Sequence, residues 1–122
     1  MEDTMQRTAE RTTQQVFDDH EVAFKSGDMD LMMADYADDA VMLLLDRFAI
    51  GKEAIQATFE GLFNGFPGLK ISFEKTAVQE DLCLLQFSGD SDVATIPHGA
   101  ATFVIQNGKI QRQTECFVVV PK

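Results

Sequence analysis

The chain has 122 residues, of which 45% are hydrophobic and 25% charged, a balance that argues against disorder and suits a single domain over residues 1–122 with a real core. Its net charge of −10 repels phosphate backbones, so no nucleic-acid partner is expected. No apolar run approaches the ~20 residues that span a bilayer, and the polar start Glu2, Asp3, Thr4, Gln6, Arg7 lacks a signal peptide's basic and apolar regions, so the expectation is a cytoplasmic protein with no membrane partner.

The charge is unevenly spread: residues 1–60 hold 14 acids against 5 bases, and residues 61–122 hold 6 against 5. From Thr4 to Lys25 the apolar residues Val16, Phe17, Ala23 and Phe24 fall with His20 on one helical face, and the acids lie off its centre. Ser26-Gly27 ends this helix, and Asp28 is placed to cap a second from Met29 to Tyr36. Ala40 to Leu45 reads as a buried strand leaving near Asp46-Arg47. Gly51 precedes a third helix, Lys52 to Phe63, stopped by Asn64-Gly65-Phe66-Pro67-Gly68.

Beyond Gly68 the period changes to that of strands: Leu69 to Gln79, Leu82 to Ser88, Ala100 to Gln106 and Ile110 to Val120, with a long connection over Gly89 to His98. Asn107-Gly108 between two apolar runs is the turn signal of a two-residue hairpin, because both residues tolerate positive φ. Helices first and an antiparallel meander afterwards predict an α+β fold, three helices packed on a curved, mostly antiparallel sheet. Cys83 and Cys116 lie inside apolar runs without metal-ligand spacing, which predicts free, buried thiols and no metal site.

The segments Lys25-Ser26-Gly27-Asp28-Met29-Asp30, Tyr36-Ala37-Asp38-Asp39-Ala40-Val41, Gly51-Lys52-Glu53-Ala54-Ile55 and Thr102-Phe103-Val104-Ile105-Gln106-Asn107-Gly108-Lys109-Ile110 together resemble the SnoaL-like branch of the nuclear transport factor 2-like superfamily. The resemblance implies a cone of helices on a curved sheet, a pocket between the first helix, the third helix and the concave face, and a homodimer formed through the convex face. It also sets the strand phase: His20, Leu44, Ala101 and Phe103 face the pocket, then Gln113, Glu115 and Phe117, with Val104, Thr114, Cys116 and Val118 outside. In isomerase-like members a carboxylate base stands at the position of Leu44, a tyrosine at that of His20 and a protonated carboxyl at that of Ala101. None of these groups is retained, which excludes steroid-type isomerisation by the known arrangement.

Glu115 is then a carboxylate in an apolar cavity, where burial raises its pKa and suits it to acid–base work, with His20 opposite and Gln113 orienting a substrate oxygen. The competing reading is that His20 and Glu115 satisfy each other in a filled core. Asp46 shares the parity of Leu44 and is a further candidate at the pocket mouth, or else a solvated turn residue. His98, beside Pro97 and Gly99, belongs to a loop that either nears the mouth or is simply exposed. Phe17, Phe59, Phe63, Phe87, Phe103 and Phe117, with Leu44, Ala101 and Gln113, are the expected ligand-lining residues. Tyr36 is expected to pack with its hydroxyl tied to backbone or water. The expected partner is a small hydrophobic molecule. No cofactor is expected, and any chemistry would be of isomerase, cyclase or lyase type; the alternative is a non-catalytic dimeric ligand-binding or structural module.

Overall fold

The structure, a computed structural model, describes residues 11–122. The expected helical turns over Thr4 to Glu10 lie outside the described residues. The first helix, α1 (Thr13–Ser26), opens on Thr12, whose hydroxyl accepts from the Gln15 amide while the Gln15 side chain accepts from the Thr12 amide. This reciprocal cap satisfies two donors that a helix start leaves open. Gly27 ends α1 at φ 72°, where a Cβ would be strained. Asp28 then caps α2 (Met29–Ala34) by accepting from Leu31 N at 3.1 Å.

The chain continues as β1 (Tyr36–Leu43), β2 (Phe48–Ile50), α3 (Lys52–Gly65), β3 (Lys70–Gln79), β4 (Leu82–Asp90), β5 (Ala94–Gln106), β6 (Lys109–Phe117) and β7 (Val120–Pro121). One sheet runs β2-β1-β6-β5-β4-β3, with β7 added beside β5. Its pairs are antiparallel except β1 with β6, which is parallel. Register shifts interrupt β1/β6, β3/β4, β4/β5 and β5/β6. Irregularities of this kind increase local bend and twist, which fits the curvature of the sheet around the helices.

Several boundaries differ from those expected. Tyr36 opens β1 instead of closing α2, and Phe48–Ile50 forms a strand that the short exit after Asp46 had hidden. β5 begins at Ala94, so His98 is an outward strand residue and not part of a long loop. The last strand breaks after Phe117 and resumes at Val120. Asn107 (φ 55°) and Gly108 (φ 71°) make the expected tight hairpin, with Gln106 paired to Lys109. Both cysteines are free, but Cys116 is exposed on the outer face; only Cys83 is buried.

The core lies between the helices and the concave sheet face. Val16, Phe17 and Ala23 of α1, Met32 and Met33 of α2 and Ile55 and Phe59 of α3 pack with Tyr36, Met42, Leu85, Phe103, Ile105 and Ile110. Phe17 meets Phe103 edge-on at 5.4 Å, and Phe24 meets Phe59 and Phe63 at 5.8 and 5.4 Å. Such contacts add to the area term that dominates core stability.

Candidate functional site

Alternation along the strands delivers two adjacent rows of side chains to the concave face. One row is Ala49, Met42, Gln113, Phe103 and Cys83, fixed by the pairing of β2, β1, β6, β5 and β4. In the next, Glu115 faces Ala101 and Ala101 faces Leu85. The β1/β6 register, Met42 to Gln113 and Leu43 to Thr114, carries Leu44 alongside Glu115. Leu44 N in turn donates to Arg47 O at 2.8 Å across the β1–β2 turn.

Above these rows lies an apolar chamber of about 60 Å³. Its wall is mostly aromatic, with Phe24, Phe59, Phe73, Phe87, Phe103 and Phe117, and its polar members are His20, Gln113 and Glu115. A wider groove of about 350 Å³, lined by Leu44, Arg47, Thr58, Phe66 and Val119 among others, shares Phe59, Leu62, Glu115 and Phe117 with the chamber. Glu115 therefore stands where the two spaces meet.

An unbroken chain of side-chain hydrogen bonds runs from Glu115 into the core. Gln113 Nε2 donates to Glu115 Oε2 at 2.6 Å, and the Tyr36 hydroxyl donates to Gln113 Oε1 at 2.5 Å. The Tyr36 hydroxyl also lies 3.3 Å from His20 Nε2; with its single proton directed to Gln113, its oxygen is left to accept from Nε2 in the tautomer that carries a proton there. His20 Nδ1 lies 3.0 Å from Asp35 Oδ2, and the other Asp35 oxygen accepts from Arg11 at 3.0 Å. Arg11 spans to Asp19 at 3.0 Å and to the Gly108 carbonyl at 2.8 Å. A carboxylate this deeply buried requires such partners.

The electrostatics follow from burial. The Glu115 carboxyl is pushed up to about 7 by loss of water, an effect that the hydrogen bond from Gln113 partly opposes. Burial, and then the nearby charges of Glu115 and Asp35, push the Tyr36 phenol well above its ordinary value, while its hydrogen bond with Gln113 acts the other way.

Of the sequence candidates, His20, Phe59, Phe87, Phe103, Gln113, Glu115 and Phe117 line the chamber, and Leu44 lines the outer groove. Phe17 is buried behind the wall against Phe73 and Phe103; Phe63 packs on Phe24 at its edge; Ala101 is buried between Glu115 and Leu85. Asp46 is 75% exposed, its Oδ1 3.4 Å from Nε of the neighbouring Arg47. His20 and Glu115 do not bond directly: Tyr36 and Gln113 stand between them. Gln113 uses its carbonyl on Tyr36 and one N–H on Glu115, so it serves first as a holder of Glu115.

Asp35, Tyr36 and Arg11 were not singled out from sequence as members of this chain. The available signal was the end of helical spacing at Asp35-Tyr36; the partners themselves lie 15 to 24 residues from Asp35. Among the described residues no cluster of three potential metal ligands occurs, and no helix is long and apolar enough to cross a membrane.

A helical layer on a curved sheet, enclosing a pocket on its concave side, is the architecture of the nuclear transport factor 2-like proteins. The chain belongs to the SnoaL-like domain family, matched over residues 14–113. None of the functionally curated proteins matches it. Its fold is similar to that of an NTF2-like protein of unknown function from Cytophaga hutchinsonii (TM-score 0.75, 13% identity, 88% of this chain and 90% of that one). It is similar also to TerC, co-crystallised with polyporic acid (TM-score 0.76, 12% identity, 87% and 91%). A third similar structure is a candidate polyketide cyclase from Sinorhizobium meliloti (TM-score 0.72, 18% identity, 82% and 92%). At these identities the likeness is one of fold.

Proposed function

We propose that the chain binds a small, largely apolar molecule on its concave face and exchanges a proton with it through Glu115, without a cofactor. The observation that carries the reading is a carboxyl held at about 7 where an aromatic chamber meets an open groove. A group near neutrality is present in both protonation states at working pH, as general acid–base catalysis requires. The inner chamber is smaller than the ~150 Å³ cavity that accepts benzene, so the body of the ligand occupies the groove and projects only a small apolar part inward.

In the step this permits, the Glu115 carboxylate takes a proton from carbon next to a ligand carbonyl. The electron pair of that C–H bond moves into the enolate, and the proton returns from Glu115 to the same or a conjugated carbon. Gln113 fixes the carboxylate, Tyr36 fixes Gln113, and His20, held by Asp35, backs Tyr36. The isomerase, cyclase and lyase classes share this step. In the second reading the protein binds a ligand without turnover; it is favoured by the completeness of the chain, in which His20, Tyr36 and Gln113 already have protein partners.

The reading includes a homodimer through the convex face. Leu84, Thr102, Thr114, Leu43 and Phe48 form one outward row across five strands, and Leu82, Val104, Arg112, Val41 and Ile50 form the next. Leu82, Leu84, Leu43, Phe48 and Ile50 are between 48% and 68% exposed, an apolar surface that favours burial against a second copy. A cytoplasmic location is supported by the two free thiols, which suit a reducing compartment.

The test is deuterium incorporation by NMR into a two-ring enolisable ketone, 2-tetralone, in D2O. Acceleration by the native protein that Glu115→Gln removes supports proton transfer. Saturable binding with no acceleration supports the non-catalytic reading, and absence of binding overturns both for this ligand size.

A further inference from the structure

The outer groove contains a charge that the proton-transfer reading does not use. Arg47 lines it together with Leu44 and Glu115. Its side chain is 65% exposed, and among the described residues its contact is through Nε to the neighbouring Asp46 at 3.4 Å. That leaves the two terminal guanidinium nitrogens at the mouth of the groove for something else. The strand register makes the placement specific. Leu44 is hydrogen-bonded to Arg47 across the β1–β2 turn and follows Leu43, whose partner on β6 is Thr114, the residue before Glu115; Leu44, Arg47 and Glu115 all line the groove. Arg47, Leu44 and Glu115 thus follow one another along one row, the outer two separated by two strand spacings, about 10 Å between backbones.

We infer that the ligand of this pocket is a monoanionic aromatic or alicyclic acid, its carboxylate at Arg47, its ring over Leu44 and Phe117, and its reacting edge at Glu115. This rests on the concave pocket being the ligand site. The dimensions agree: both side chains reach inward from backbones ~10 Å apart, leaving room for one or two fused rings. Guanidinium offers paired N–H donors in the geometry a carboxylate accepts. Thr58, the remaining polar side chain of the groove besides Arg47 and Glu115, donates to the Ala54 carbonyl at 2.9 Å and is already occupied. The anionic end is thereby directed to Arg47, away from Glu115, whose own charge would repel it.

The chain as a whole opposes this choice, which makes the test sharp. A net charge of −10 disfavours any anion that lacks a dedicated partner. The experiment compares 2-naphthoate with its neutral counterpart 2-naphthamide by isothermal titration calorimetry at pH 7 and low salt, with the contact site mapped by amide chemical shifts at Phe117 and Val119. The native protein is expected to bind naphthoate about tenfold more tightly than naphthamide, the ratio one charge-assisted contact supplies. Arg47→Met should abolish the difference by weakening naphthoate alone, and Arg47→Lys should restore part of it. The exposure of Arg47 means that neither variant should disturb folding.

Equal affinity for the two probes, or a preference that survives Arg47→Met, overturns the assignment while leaving the pocket reading intact. Failure of both probes to bind, or shifts confined to residues away from the groove, overturns the pocket reading and this inference with it.

Discussion

Replacing Glu115 by glutamine should change the pH dependence of stability in a calculable way. Raising a carboxyl from 4.5 in the unfolded chain to about 7 in the native state corresponds to about 3 kcal/mol of linked free energy. The native protein holds a proton that the unfolded chain releases between these limits. This contribution is fully present below pH ~4.5, falls as pH rises, and is gone above pH ~7. Glutamine keeps the shape and can still accept from Gln113, but it does not titrate. In urea denaturation followed by circular dichroism from pH 4 to 8.5, the variant should therefore gain on the native protein as pH rises. The change in the difference between the two should approach ~3 kcal/mol, or on the order of 10 °C in Tm. Taking the difference cancels the other carboxylates, which both proteins share. Parallel profiles through this window would show that Glu115 is solvated and would remove the basis for acid–base chemistry at this site.

Tyr36→Phe deletes the hydroxyl that joins Gln113 to His20 while keeping the ring contacts with His20 and Phe59. It should cost about 1–3 kcal/mol by denaturant titration, and a neutral result would mean that the chain is not formed. Gly99→Ala would place a Cβ 2.4 Å from the Phe87 ring, displacing that ring into the chamber. The expected cost is about 1–3 kcal/mol, with weakened binding of any ligand that enters the inner space, measured by denaturation and calorimetry. Thr114→Arg puts a charge at the centre of the convex apolar rows and should convert a dimer to a monomer in sedimentation analysis without loss of helical circular dichroism; a native monomer would refute the dimer outright.

Much of the architecture was legible because it is written in local chemistry. Gly27, Asp28 and the Asn107-Gly108 pair act on their own neighbours, and the 3.6-residue spacing of α1 and α3 needs no distant information. What escaped had non-local causes. Phe48–Ile50 is three residues long and exposed at both ends, so only its pairing with Val41 to Leu43 makes it a strand. Pro97-His98-Gly99 reads as a loop, yet it lies in β5, where the register with β4 shifts between Phe87 and Gly89. A missing proline N–H is best tolerated at such an irregularity. Asp35 resembled one more surface acid among 20. It is fully buried because Arg11 and His20 converge on it, and no spacing rule announces that.

The proposed proton transfer has two carboxyls to choose between, Asp46 and Glu115. Asp46 lies beyond the end of β1, in the turn that Leu44 and Arg47 close with a hydrogen bond. Glu115 lies on β6 where the chamber meets the groove and is held by Gln113, whereas Asp46 is 75% exposed beside Arg47. Burial and a fixed orientation favour Glu115 as the group that carries the proposed proton transfer. A buried carboxyl on β6 needs a polar partner within reach. That support comes from Gln113, two residues earlier on the same face, and through it from Tyr36, His20 and Asp35. The buried chain thus follows from where Glu115 sits, and the inward parity of Gln113 and Glu115 is the feature of the sequence that brings them together.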